Sequence, residues 1–114
     1  MTSEMFAGLT VEEARRRAGE IMEQGKEYWY TPSSTAALQE CIMLVSAGLV
    51  TDIADIQFSN IDLSEVTSQQ MNLLLSVVTR AVKLVNIKLS ASQTEAVFSS
   101  MSRLSDGIVL YDGV

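Results

Sequence analysis

The chain has 114 residues, 47% of them hydrophobic, which suits one domain with a substantial core and not a disordered segment. Its formal charge of −6 argues against nucleic acid, whose phosphates call for a basic face, and against anionic membrane surfaces. A lone cysteine, no Asn-x-Ser/Thr acceptor, no signal-peptide pattern at the N-terminus and no apolar run near ~20 residues lead to the expectation of a cytoplasmic protein with neither a disulfide framework nor a membrane span.

The first element, "LTVEEARRRAGEIMEQGKEYW", reads as a helix over 10–25. Thr10 and Glu13 form a capping box, Val11, Ala14, Ala18, Ile21 and Met22 share one face, and Gly25 suits the C-terminal end. Glu12–Arg16 and Glu13–Arg17 stand in the favourable acid-before-base order, so the run Arg15-Arg16-Arg17 reads as a solvated helix face, with an anion-binding patch as the alternative. Pro32 then breaks the chain. The aromatic cluster Tyr28-Trp29-Tyr30 before it is either a plug between helices or an interface. A second helix is expected over 34–47, apolar around much of its circumference and closed by Gly48. Cys41 lies within it as a small hydrophobe, since a nucleophile needs a base and the chain has no histidine.

The rest of the chain echoes itself with a period of 26. Ile56, Phe58, Ile61 and Leu63 of "IQFSNIDL" recur as Val82, Leu84, Ile87 and Leu89 of "VKLVNIKL", with Asn60 and Asn86 in matching places. One period further on stand Ile108 and Leu110, with Asp112 at the asparagine position. A fixed period of this length is the mark of a repeat array. Helices are expected between the strands, over 68–79 and 93–104, started by the boxes Thr67/Gln70 and Ser92/Glu95. The strands, near 55–59, 82–86 and 108–111, are then parallel and adjacent in order.

The fold class expected is therefore α/β: two N-terminal helices, then a short strand–helix array with a small parallel sheet. The whole chain, 1–114, makes a single domain, with 1–48 as a helical cap and 49–114 as the units of period 26. Ile56, Phe58, Val82, Leu84, Ile108 and Leu110 should be buried, with Leu75, Val78, Met101 and Leu104 facing them from the helices.

"IADIQFSNIDL" and "TRAVKLVNIKL" resemble the leucine-rich-repeat segment L-x-x-L-x-L-x-x-N-x-L, and the helix after each strand is similar to the ribonuclease-inhibitor variety. Ile53, Ile56, Phe58 and Leu63 fill the apolar places of the first unit, and Val82, Leu84 and Leu89 those of the second. The pattern departs from the family where Ile61 and Ile87 occupy the asparagine position, and where Thr79 replaces an apolar residue. A small parallel sheet without true repeats fits the same order of elements.

The resemblance implies a sheet face whose outward residues form two rows, Gln57–Lys83–Val109 and Ser59–Val85–Tyr111. These six are the candidate partner-binding residues, unless the N-terminal helices cover that face. The implied function is a protein-interaction module using the sheet face or the C-terminal edge strand. The alternative is a small α/β ligand-binding or enzymatic domain with its site at the C-terminal ends of the strands, near 64–67 and 90–92. No catalytic residue, cofactor or metal site is assigned, and Asp52, Asp55 and Asp62 read as solvated turn positions. The terminal strand "GIVLYDGV" lacks a polar cap, so the expectation is either a piece of a longer protein or, for an independent domain, an edge paired in a homodimer or a partner complex, with Tyr111 as the principal contact.

Overall fold

The computed structural model describes residues 9–111. Thr10 caps α1 (Val11–Glu27): its hydroxyl accepts from the Glu13 N–H while the Glu13 carboxylate accepts from the Thr10 N–H. Those bonds hold the Glu13 carboxyl below its ordinary range. Ser34 caps α2 (Thr35–Ser46). At the far end of α2 Gly48, at φ +79°, sits in the left-handed conformation, so that Leu49 and Gly48 donate back to the carbonyls of Leu44 and Val45.

Three parallel strands follow in sheet order β1 (Ile53–Ser59), β2 (Val78–Val85) and β3 (Gly107–Tyr111). The register pairs Ile56 with Val82 and Val82 with Ile108, and Phe58 with Leu84 and Leu84 with Leu110. Each of these steps equals the period of the sequence echo. Asn60 and Asn86 both have φ 55°, a left-handed conformation that asparagine tolerates better than most residues. The Asn86 amide donates to the Asn60 side-chain oxygen at 2.7 Å. The matching asparagines thus end two neighbouring strands in the same turn and tie those turns together.

A fourth contributor extends the sheet at the other edge. Tyr30 donates from its N–H to the Asp55 carbonyl and accepts from the Gln57 N–H, forming a parallel bridge opposite Ile56. That spacing is the same period once more, and it lies inside the stretch expected to be a helical cap. The pairing stops after one residue because Pro32 has no N–H to donate.

Helix α3 (Ser68–Leu75) joins β1 to β2, and α4 (Ala91–Ser99) with a 3₁₀ turn (Met101–Arg103) joins β2 to β3. Neighbouring helices touch in the order α2, α3, α4, and α1 packs on β1 and α2. One core holds Ile56, Phe58, Val82 and Leu84 from the strands with Leu38, Cys41, Leu74, Leu75 and Val97 from the helices. This is a small α/β fold with a three-stranded parallel sheet. No helix among the described residues is long and apolar enough to cross a membrane.

Several expectations need correcting. The first helix runs past Gly25, which is buried within it. A Cβ there would stand 2.9 Å from Ile53 Cγ2, so close approach to β1, and not helix termination, calls for glycine. Arg17 pairs with Glu40 of α2 at 3.1 Å instead of with Glu13. Helix α3 stops at Leu75, and the β-branched run Val77-Val78-Thr79 leads into β2, so Val78 reaches the core from a strand. The last helix is capped by Ser90 with Gln93, not by Ser92 with Glu95. Two overlapping S-x-x-E/Q boxes were open to this segment, and the tertiary contacts of Gln93 select one. Its amide donates to the carbonyls of Leu63 (2.7 Å) and Val66 while its oxygen accepts from the Ser90 N–H. Asp55 is buried in β1 and bonded in a fork to Arg80, not solvated, whereas Asp62 does sit in an exposed turn and accepts from the Ser64 N–H. Met101 and Leu110 are exposed and Ile108 only partly buried, against the core expected of them.

Candidate functional site

The exposure of Leu110 follows from its place in the sheet. Phe58, Leu84 and Leu110 are successive partners on the same face, and they are 0%, 4% and 61% exposed. Leu84 has a paired strand on either side. Phe58 has β2 on one side and the Tyr30 bridge beyond Ile56 on the other, where α1 also packs on β1. Both lie in the core with helix residues. Leu110 stands on the last strand, with the 3₁₀ turn to one side and no further strand paired with β3 among the described residues. The helix layer shows the same change. Counted from the caps Thr67 and Ser90, Leu75 of α3 matches Phe98 of α4; Leu75 is fully buried and Phe98 is 41% exposed. Phe98, Met101 and Leu110 are thus exposed and Ile108 half-buried, all in the last strand–helix unit, where no strand pairs with the outer edge of β3 among the described residues. Open edges and exposed apolar patches are the two surface features that most favour another polypeptide.

The six residues expected on the outward sheet face are brought together as two rows. Gln57, Lys83 and Val109 are in register, and so are Ser59, Val85 and Tyr111. Five of them are half-buried; the side chain of Tyr111 lies outside the described residues, as does Asp112. Trp29 accounts for part of the cover: the Lys83 ammonium lies 5.4 Å from its ring centroid, within cation–π range. The aromatic cluster thus splits by role. Tyr30 is buried in the core, Trp29 lies against Lys83, and Tyr28 is exposed. What the sequence reading missed is the exposure of Phe98 and Met101. Helical phase could not have shown it, because counted from its cap Phe98 takes the place of the buried Leu75, and the difference lies in the missing neighbour.

A cavity of about 670 Å³ opens at the C-terminal ends of β1 and β2, lined by Asp62, Ser64, Thr67, Lys88, Ser90 and Gln93 among others. Its polar groups are largely committed. The Thr67 and Ser90 hydroxyls cap their helices, and the Gln93 amide bridges two carbonyls. The Asp62 carboxyl is held below its ordinary range by the Ser64 N–H, so its charge opposes that of Lys88. Elsewhere, Cys41 is fully buried, and burial pushes its thiol up to about 12. Burial also raises the Tyr30 phenol, which faces that thiol. A thiol so held is a poor nucleophile. No group of three or more potential metal ligands gathers among the described residues.

No protein-family model, no curated protein and no solved structure matches this chain. The open edge at β3 and the groove at the strand ends are its two candidate sites.

Proposed function

We propose that this protein is a non-catalytic interaction module, leucine-rich-repeat-like in type, that binds another polypeptide at the β3 end of its sheet. The observation that carries this reading is Leu110, 61% exposed on a face where Phe58 and Leu84 are buried. The two outward rows cross the sheet and end on the same strand, at Val109 and Tyr111. Acidity, the absence of histidine and the single buried cysteine favour a cytoplasmic binding role over catalysis. The test is a photo-crosslinking residue placed at position 110, with the same group at the exposed position 23 of α1 as control. A discrete adduct at 110 and none at 23 is expected. Absence of any adduct at 110 in the native host would overturn the reading.

The second reading is a small-ligand site in the groove between Ser64 and Ser90, favoured by the cavity of about 670 Å³ and its position at the ends of parallel strands. A thermal-shift series against inorganic phosphate and nucleotides tests it, because a ligand specific for the native state raises the melting temperature. It ranks second because the lining carries one cation against one anion and the Gln93 amide is already used.

A further inference from the structure

We infer that the polypeptide taken up at the β3 end is a second copy of this chain, paired antiparallel through β3 about a two-fold axis at Val109. This rests on the module reading and names its partner. An isologous contact needs a surface that complements itself. A two-fold axis at Val109 puts Ile108 of each copy opposite Leu110 of the other, since antiparallel partners are matched symmetrically about the centre. In β1 and β2 the corresponding residues, Ile56 with Phe58 and Val82 with Leu84, lie on the core side, so both new cross-strand pairs are apolar and on that side. The same axis keeps the helix layers of both copies on one side of a continuous sheet. The exposed Met101 belongs to the 3₁₀ turn that packs on β3, beside this seam.

The other edge of the sheet decides how copies can join. There Tyr30 makes a single bridge and Pro32 ends it, so head-to-tail growth by strand pairing is blocked and association closes at two. Charge permits the contact despite the overall −6, because the charged side chains between the 3₁₀ turn and β3 are Arg103 and Asp106, which cancel. Size sets its strength. A stable interface removes about 800 Å² from each partner. A five-residue strand edge with four apolar side chains falls at the small end of that scale, so the dimer dissociates on dilution through roughly the micromolar range.

Cys41 is buried, which leaves an introduced surface thiol as the reactive one. Directly opposed residues of an antiparallel pair have Cα atoms about 4.5–5.5 Å apart, inside the disulfide range of about 4.4–6.8 Å. Under mild oxidation Val109→Cys should form a covalent dimer at least about tenfold faster than Gln57→Cys, on β1 two strands away. Sedimentation of the unmodified protein should move from one copy to two as concentration rises, and Leu110→Lys should abolish that shift with its circular dichroism unchanged. A single-copy mass at every concentration, or equal crosslinking at 109 and 57, overturns the inference. A photo-adduct from position 110 to a different protein, with a single-copy mass in sedimentation, also overturns it and leaves the module reading standing.

Discussion

The two edges of this sheet are built differently from nearly the same material. At the Tyr30 edge the chain enters as a single bridging residue, buries that tyrosine, and turns away at Pro32 into α2, while α1 packs on β1. At the β3 edge the same periodic step delivers a five-residue strand whose apolar face is half open. Identical spacing therefore produces a finished boundary on one side and an unfinished one on the other. Among apolar residues of the same phase, burial here depends on what stands beside the strand.

The sharpest way to break that comparison is to truncate matched residues. Leu84→Ala should cost about 2–5 kcal/mol in urea denaturation, because a leucine with no room to collapse leaves a cavity. Leu110→Ala should cost less than about 0.5 kcal/mol at concentrations where the protein is a single copy. Equal losses at the two sites would mean that the β3 end is covered after all.

Gln93 ties the β1–α3 loop to the start of α4, and a smaller but still large effect is expected there. Gln93→Glu keeps the capping acceptor but removes the donor shared by Leu63 and Val66, placing a carboxylate beside their carbonyl oxygens. The expected loss is about 3 kcal/mol at neutral pH. The fold would favour the protonated acid, raising its folded-state pKa. The deficit should therefore be smallest below the unfolded value of about 4.3 and grow as pH rises through the folded one. A loss independent of pH would argue against the carboxylate placement.

Gly25→Ala probes the finished edge, where the added methyl would press on Ile53 Cγ2 and approach the Ala54 nitrogen. Since Ile53 is fully buried, a cost of about 1–3 kcal/mol is expected from overpacking, read by the same denaturation experiment. The gentlest test uses pH. The Cys41 thiol is raised to about 12 and the Tyr30 phenol is raised too, both by burial. Their contribution to stability is complete below the unfolded thiol value of about 8.5 and is lost as pH climbs towards the folded values. Melting temperature should be flat from about pH 6 to 8 and fall above about pH 9, less steeply in Cys41→Ala.

Much of this was legible from the residues because the pattern is local. The echo of "IQFSNIDL" in "VKLVNIKL" fixes strand phase, register and order together, since side chains alternate along a strand and a step of one residue would turn Phe58 and Leu84 to the wrong face. The boxes at Thr10 and Thr67 were legible for the same reason, because donor and acceptor lie within one turn. Tertiary contacts decided the rest. Tyr30 stands one period before Ile56 but joined the sheet as a single bridge with no strand pattern around it, and Asp55 found Arg80 across a strand pair. Ser90 prevailed over Ser92 only because the Gln93 amide has two carbonyls from another loop within reach. The candidate site belongs to this second class. Ile108 and Leu110 carry the same apolar pattern as Val82 and Leu84, and a pattern states which face a residue takes, while the presence of a neighbour on that face is a property of the assembled molecule.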